Sequence, residues 1–598
     1  MPDELGSKVY SLPKMDGQYK LARLGSWAFC IVLAVVEAWV GQQYFDPDSI
    51  SYLDMSDGMI RNDWHTLINL TWSPLYPLLI GVAARIGHPS ARWELPLVHL
   101  LNLAIFIGAL AAFEFMMRQL IAILVPERSG PQSELPLLQR SYVWELLGYG
   151  VFAWTTFCLA GSVRRVLPDL LVVTFVYLDA GIVLRILSRQ RIAPWFVCLG
   201  VALGLGYYAK AILFPIGLLF MAVAVCAAGN LRKALLPALA MALTFFCIAA
   251  PLAAALSGLR RHLTVGESGH LNYAWRVSGQ PSAFYLSPPG FPQLKDPPNL
   301  IHPEIALYGD QMPVERILHH SPDVLQFSPL MDSTYPPWFS PAAFASGLES
   351  TVALGDQIRA ILNNLQLSAM ALLLPIPLTW VAYLALFFGS AQNPGRWRCI
   401  LRVWPILIVG ISGLLLYIIV AVEPRYIAVF VALVLISLLC AIQYQRSNRN
   451  PRLTTFATVF LIFSLAATAV GFVTYHIVHP PRPLQGSICE AYSVASELSK
   501  DGVRPGDTIA VIGDGESSMA VARLARVRID VAIPPREDLK FWRISDHRER
   551  KDVYDALRDA GAKFVISIEA PPANGFEEWR RVADTEFYAY NLEQNSQE

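Results

Sequence analysis

The chain has 598 residues, 54% hydrophobic and 16% charged. A soluble globular protein carries about 25% charged residues, so this composition excludes an ordinary soluble domain and points to many membrane spans. The 47 basic and 47 acidic residues cancel, which implies no polyanionic partner and no nucleic acid.

Residues 1–23 are polar and lack the short basic start of a cleavable signal peptide, so the first apolar run reads as a retained signal-anchor. A crossing helix needs about 20 mostly apolar residues. Eleven stretches qualify: 24–43, 96–117, 142–160, 167–187, 193–208, 211–228, 234–256, 365–389, 401–421, 426–444 and 454–476. The run at 74–86 is too short and reads as an interfacial or re-entrant helix. The eight cysteines form no CxxC and no metal spacing, and Cys30, Cys158, Cys198, Cys226, Cys247 and Cys440 lie in apolar runs as small hydrophobes.

Basic residues set the orientation. A cytoplasmic N-terminus places Lys8, Lys14, Lys20 and Arg23 inside, then Arg118, Arg128 and Arg140, then Arg185, Arg189 and Arg191, then Arg232 and Lys233. Arg396, Arg398 and Arg402, and then Arg446, Arg449 and Arg452, follow on the same side. The outer face receives residues 44–95, the tips 161–166, 208–210 and 422–425, a long loop 257–364, and the tail from 477. Short outer tips should be poor in Lys and Arg, yet they hold Arg164, Arg165, Lys210 and Arg425.

The loop 257–364 is rich in Pro, Trp and Tyr, a composition that excludes long helices and strands and suits an ordered cover over an outer cavity. Over 482–598, strand-like runs (DTIAVIGDG, VRIDVAI, KFVISIEA, TEFYAYNL) alternate with helical ones and predict a small α/β domain. Gly513–Asp514–Gly515 reads as a tight turn rather than a nucleotide loop, and Asn69–Leu70–Thr71 spells a glycosylation acceptor.

Ionisable groups at membrane depth are expensive and therefore functional suspects. Asp48–Ser49–Ile50–Ser51–Tyr52 is followed by Trp72–Ser73–Pro74–Leu75–Tyr76–Pro77. Arg164–Arg165–Val166–Leu167–Pro168–Asp169 opens one span, and Glu423–Pro424–Arg425–Tyr426 opens another. Carboxylates for base or metal work beside cations for phosphate suit a reaction that moves an anion. Asp46, Asp54 and Asp57 read as loop-solvating or helix-capping acids. In the long loop, the polar, aromatic, glycine-punctuated run from Gly266 to Trp275, with Glu267, His270 and Tyr273, suits sugar binding or an ordered turn.

Over about residues 20–445 these motifs, in this order, resemble the GT-C superfamily of integral-membrane glycosyltransferases, in particular the protein O-mannosyltransferase-like and aminoarabinose transferase-like families. The resemblance implies a polytopic α-helical membrane protein with about eleven spans over 24–476 and an extracytoplasmic α/β domain over 482–598. It places the chain in a bacterial inner membrane. It also implies transfer of a sugar from a polyprenyl-phosphate donor to an acceptor lipid, glycan or protein on the outer face.

By that resemblance Asp48 is the first-loop catalytic aspartate and Asp169 the second acidic position. The two would share a divalent metal if one is used. Lys210 and Arg425, with Arg164 and Arg165, would take the donor phosphate. Tyr52, Tyr76, Glu267, His270, Tyr273 and Glu423 complete the expected substrate contacts. The chain departs from the family pattern at Ser49, where relatives often carry Glu, and at Trp72, where the aminoarabinose type has Lys. The second departure weakens any assignment of aminoarabinose as the sugar. A transporter of a lipid-linked substrate and a non-catalytic envelope scaffold are the competing classes.

Overall fold

The structure, a computed structural model, describes residues 17–124, 140–161, 163–188, 192–279, 315–327, 332–344, 350–389, 396–440, 451–479, 488–513, 515–535, 537–572 and 575–593. Lys8, Lys14, Arg128, Arg189, Arg191, Arg446, Arg449, Asp514 and the Pro-rich stretch 287–304 lie outside the described residues. The chain divides into two compact units. The first is Met1–Gln42, His99–Leu252 and Val352–Pro480; the second is Gln43–Val98, Ala253–Thr351 and Pro481–Glu598.

The first unit is helical. Among the described residues six helices are long and apolar enough to cross a membrane: Gly17–Val40, Ala91–Leu124, Asp169–Leu187, Ile192–Ala209, Leu231–Arg260 and Arg452–Val478. Leu213–Ala227, Trp404–Val420 and Pro424–Leu439 are apolar but shorter. The chain is a multi-pass membrane protein, and the described residues of the runs expected to span are mostly helical. The run expected as one span at 365–389 is instead two helices, Leu354–Leu373 and Pro377–Phe388, bent by 93°. Pro375 and Pro377 sit at the break, where proline lacks an amide donor and clashes with the preceding turn.

The outer surfaces of these helices are apolar. Leu236, Leu243, Leu374, Phe456 and Phe463 are all exposed. An exposed apolar band of this extent is matched by lipid rather than water. Inside, aromatic rings interlock, with Phe113 packed on Tyr149, Phe152 and Tyr177. The helix Ser141–Ala153 runs on as a π-helix, Trp154–Leu159, and ends at Gly161, which holds φ +73°. A left-handed backbone there is natural for glycine. It releases the chain into the 161–168 tip.

The second unit is built on a mixed sheet of seven strands: β1 Glu315–His319, β2 Val324–Phe327, β3 Thr508–Ile512, β4 Arg528–Ile533, β5 Ala562–Ser567, β6 Arg580–Arg581 and β7 Tyr588–Asn591. Their order is β1-β2-β4-β3-β5-β7-β6. β3 is parallel to both β4 and β5, and the remaining pairs are antiparallel. Strands covered on both faces read as unbroken apolar runs, which is why IAVI in β3 and FVI in β5 show no alternation. Ala510, Ile512, Val531, Ile533 and Val565 pack with Val553, Tyr554 and Leu557 of the helix His547–Asp559. The α/β character expected for the tail holds, but two strands come from the long loop. Leu325 and Gln326 of β2 pair with Ala532 and Val531 of β4. The loop is therefore partly sheet and not wholly irregular.

The same unit binds the first loop. Its helix Pro47–Ile60 is capped at Asp46, whose N–H donates to Ser49 Oγ at 2.9 Å while Tyr44 donates to its carboxylate at 2.9 Å. The turn Pro336–Phe339 docks on this region. Phe339 O accepts from Asn69 Nδ2 at 2.8 Å and from Trp72 Nε1 at 3.0 Å, and Ser51 donates to Trp338 O. Asn69 Oδ1 also accepts from the N–H groups of Thr71 and Trp72. Asn69 is buried, so the apparent glycosylation acceptor is a structural turn.

Asp54 and Asp57 correct another expectation. They do not solvate a loop. Asp54 is buried and accepts from Thr334 N at 2.7 Å, Thr334 Oγ1 at 2.8 Å and Arg523 Nη1 at 3.0 Å. Burial pushes its carboxyl up, to about 6, against the pull of Arg523 and Thr334. A carboxyl raised in the fold binds its proton more tightly there than in the unfolded chain. Its contribution to stability is therefore complete below about pH 4 and lost as pH rises through 6, a change of about 3 kcal/mol. Thermal unfolding from pH 4 to 7.5 should show this slope in the wild-type protein and its absence in Asp54→Asn.

Candidate functional site

In the first unit three chain tips carry their charged residues to one end of the helix bundle. Asp169 is the first residue of Asp169–Leu187, directly after Pro168. Lys210 follows the last residue of Ile192–Ala209, in the turn before Leu213–Ala227. Arg425 lies in the first turn of Pro424–Leu439, which Glu423 precedes. Pro at the start of a helix costs no hydrogen bond and sets φ for the first turn, so Pro168 and Pro424 fix where these side chains emerge.

The three tips meet. Lys210 Nζ donates to Asp169 Oδ1 at 2.7 Å, and Arg425 Nη1 lies 3.7 Å from Asp169 Oδ2. Arg425 Nε donates to Glu423 Oε2 at 2.6 Å. Tyr426 lines both cations, with Lys210 Nζ 4.3 Å and Arg425 Cζ 5.0 Å from its ring centre. Tyr417 stacks on Tyr426 at 5.2 Å. The Asp169 and Arg425 side chains are 9% and 11% exposed, whereas Lys210 at 24% and Glu423 at 39% reach further out. Desolvation works against ionisation of Glu423, and the Arg425 guanidinium overcomes it and holds the carboxyl below its ordinary range.

Arg164 and Arg165 belong to the same unit, on the 161–168 tip. That tip is fixed by the helix Glu94–Leu124, where Asn102 Nδ2 donates to Val163 O at 3.1 Å and Arg165 O at 2.8 Å, and His99 Nδ1 lies 3.1 Å from Val163 O. Arg164 sits over the Phe472 ring at 5.8 Å, and Arg165 acts electrostatically on Asp169. Tyr417, His99 and Asn102 were not singled out in the sequence. His99 and Asn102 stand three apart in an apolar run, a spacing that puts two polar groups on one helix face and could have marked them.

The remaining expected residues lie in the second unit. Asp48 is half-buried in the first turn of Pro47–Ile60, where the helix dipole favours a carboxylate. Ser49, the position of one departure from the family pattern, is buried and closes the helix cap. Tyr52 and Tyr76 are buried and pack edge to face at 5.6 Å, with Trp72 5.4 Å from Tyr52. Tyr52, on the Asp48 helix, is thereby packed against Tyr76 and Trp72 of the segment that follows it. Glu267 is also buried. It accepts from Thr264 Oγ1 at 2.8 Å, has Arg260, His262 and His270 at 3.7–3.8 Å, and donates its N–H to Leu70 O. It ties 253–279 to the first loop. His270 and Tyr273 are partly exposed on the helix Ser268–Arg276.

A divalent metal does not fit Asp169. One of its oxygens is taken by an ammonium and the other faces a guanidinium, so a dication there would meet two positive charges. Among the described residues no three His, Cys, Asp or Glu side chains converge as a ligand set.

Comparison of the fold finds ArnT from Cupriavidus metallidurans bound to undecaprenyl phosphate, at TM-score 0.50 and 10% identity, covering 94% of this chain and 97% of that one. It also finds the Archaeoglobus fulgidus oligosaccharyltransferase in the apo form, at TM-score 0.50 and 13% identity, covering 91% and 69%. Both are GT-C glycosyltransferases. This chain has the GT-C fold. A structure of the same oligosaccharyltransferase with Zn and sulfate matches at TM-score 0.44 and 13% identity, covering 90% and 67%. No family model and no curated protein matches the chain by sequence. The Asp169 cluster lies where the helices Asp169–Leu187, Ile192–Ala209 and Pro424–Leu439 end.

Removing one partner from a buried ion pair strands the other and costs about 3–5 kcal/mol, whereas replacing both by apolar groups is often neutral. Asp169→Ala should therefore lower the thermal midpoint of the detergent-solubilised protein sharply, and Asp169→Leu with Lys210→Met should restore most of it.

Proposed function

We propose that the protein transfers a sugar from a polyprenyl-phosphate carrier to an acceptor hydroxyl at the outer face of a bacterial inner membrane. The observation that carries this reading is the convergence of Lys210 and Arg425 on Asp169, beside a tip bearing Arg164 and Arg165. Two acids and two bases cancel within the cluster itself, and the two further arginines leave the surrounding field positive. Such a field favours an anion that arrives with its own apolar tail. The solved GT-C neighbour bound to undecaprenyl phosphate supports a lipid phosphate as that anion.

The chemistry follows from the charges. As the bond from the anomeric carbon to the phosphate oxygen breaks, negative charge grows on the departing phosphate. Cations already in place, partly dry and held by their partners stabilise this charge without reorganising. Lys210 is the more exposed cation, a compact point charge held in place by Asp169. Arg425, held by Glu423 and covered by Tyr426, provides a fixed fork for bidentate contact. No step is assigned to a metal.

The acceptor needs a base, and Asp48 takes that role in this proposal, with His270 and Tyr273 binding sugar hydroxyls. With a single displacement the anomeric configuration inverts. The cytoplasmic N-terminus and the outward-facing α/β domain belong to the same proposal, argued from the basic loops. The test is turnover by the reconstituted protein with a panel of undecaprenyl-phosphate-linked hexoses and pentoses. Asp48→Asn should reduce the rate by about 100-fold or more at unchanged thermal stability, and Lys210→Met should weaken inhibition by free undecaprenyl phosphate. Wild-type transfer rates in Asp48→Asn would remove the base assignment.

A further inference from the structure

The α/β fold of residues 488–593 has no part in the chemistry above, yet it buries a guanidinium against the first loop. Arg523, on the helix Gly515–Ala525, is 5% exposed. Its Nη1 donates to Asp54 Oδ1 at 3.0 Å and Asp57 Oδ2 at 2.5 Å, and its Nη2 to Glu94 Oε1 at 2.5 Å. Arg526 adds contacts to Asp57 at 3.4 Å and Glu94 at 3.0 Å. Three carboxylates therefore meet two guanidinium groups, and two of the three lie on the helix Pro47–Ile60 that carries Asp48.

We propose that Arg523 is a positioning residue for transfer: by gripping Asp54 and Asp57 it sets the axial position and rotation of the helix Pro47–Ile60, and so the placement of Asp48. This rests on the reading of Asp48 as the base. Asp48 and Asp54 are six residues apart on one continuous helix, about 9 Å along its axis at 1.5 Å per residue, so a grip at one end is carried rigidly to the other. Asp54 and Asp57 are three apart and share a face, which lets one guanidinium reach both.

An apolar contact could hold this helix, but apolar contacts tolerate sliding. Buried charges do not, because any shift leaves an ion unpaired in a dry environment. Two further contacts close the remaining freedom. Thr334 donates twice to Asp54 from the side of the long loop. Gly58 approaches Thr66 so closely that a Cβ there would overlap the Thr66 side chain. The Asp48 helix is thus held by residues from the tail, the long loop and its own following segment.

The experiment uses the full-length protein in lipid nanodiscs. Backbone hydrogen exchange is followed in 51–60 and in the strands β3 and β4, and transfer is measured with whichever undecaprenyl-phosphate-linked sugar of the panel the wild type turns over. Arg523→Gln should speed exchange in 51–60 while β3 and β4 stay protected. It should lower kcat by about 10- to 100-fold with the donor KM little changed, as expected for a misplaced catalytic group. Arg523→Lys, which keeps the charge and loses the fork, should recover part of both effects. Retained protection of 51–60 in Arg523→Gln overturns the proposal. If instead the strands lose protection together with 51–60, Asp57→Asn takes the place of Arg523→Gln. Loosening without loss of kcat in that variant also overturns it. An Arg523→Gln protein that transfers normally beside an inactive Asp48→Asn sinks the positioning role alone. A fully active Asp48→Asn sinks the assignment of the base.

Discussion

The physical constraint on which the rest depends is the cost of placing charge at the ends of apolar helices. Asp169 and Arg425 are almost completely buried, and an isolated ion in such surroundings is unstable by several kcal/mol. Each therefore needs a partner, and the partners come from tips far apart in sequence. Lys210 reaches Asp169 from the turn between two apolar helices, and Arg425 reaches both Asp169 and Glu423. The packing of the spans around Tyr417 and Tyr426 brings these tips together. A cluster assembled in this way keeps its cations oriented before any substrate arrives, which is the property that an anionic leaving group requires.

The second unit solves the same problem with a different device. Arg523 is buried with Asp54, Asp57 and Glu94, and Glu267 is buried with Thr264 and a ring of basic side chains. Around these polar anchors the apolar parts are conventional. The β3, β4 and β5 strands are covered on both faces, and the aromatic set of Tyr52, Trp72 and Tyr76 fills the space under the first-loop helix. Strands β1 and β2, taken from the long loop, extend the sheet and bring Thr334 and the Pro336–Phe339 turn to the same helix. The long loop is thus a structural component of the unit that holds Asp48.

Local pattern and tertiary context contributed differently to individual residues. Tyr52 and Tyr76 stood out because they mark motifs, and only the tertiary structure shows that their rings meet each other and that Trp72 joins them. Asp54 and Asp57 looked like loop acids because their partner lies more than 460 residues away. Asn69 carried the pattern of a modification site and proved to be a buried turn. The hairpin of β1 and β2 was illegible for a related reason: short strands among prolines acquire strand character only by pairing with an existing edge.

What the sequence determined by itself was everything that depends on local composition. The low charge and long apolar runs dictate a multi-pass membrane protein, since backbone groups in lipid must be satisfied within each helix. Strand and helix periodicity dictate the α/β tail, and Pro168 and Pro424 mark where helices begin. The basic residues on otherwise apolar tips, Lys210 and Arg425, were visible for the same reason, as local breaches of a rule about charge. The tertiary structure decided which charge meets which. Ion pairs such as Lys210–Asp169 and Arg523–Asp57 depend on side chains brought within a few ångströms of each other by the packing of many other residues, and no local window of sequence contains that distance.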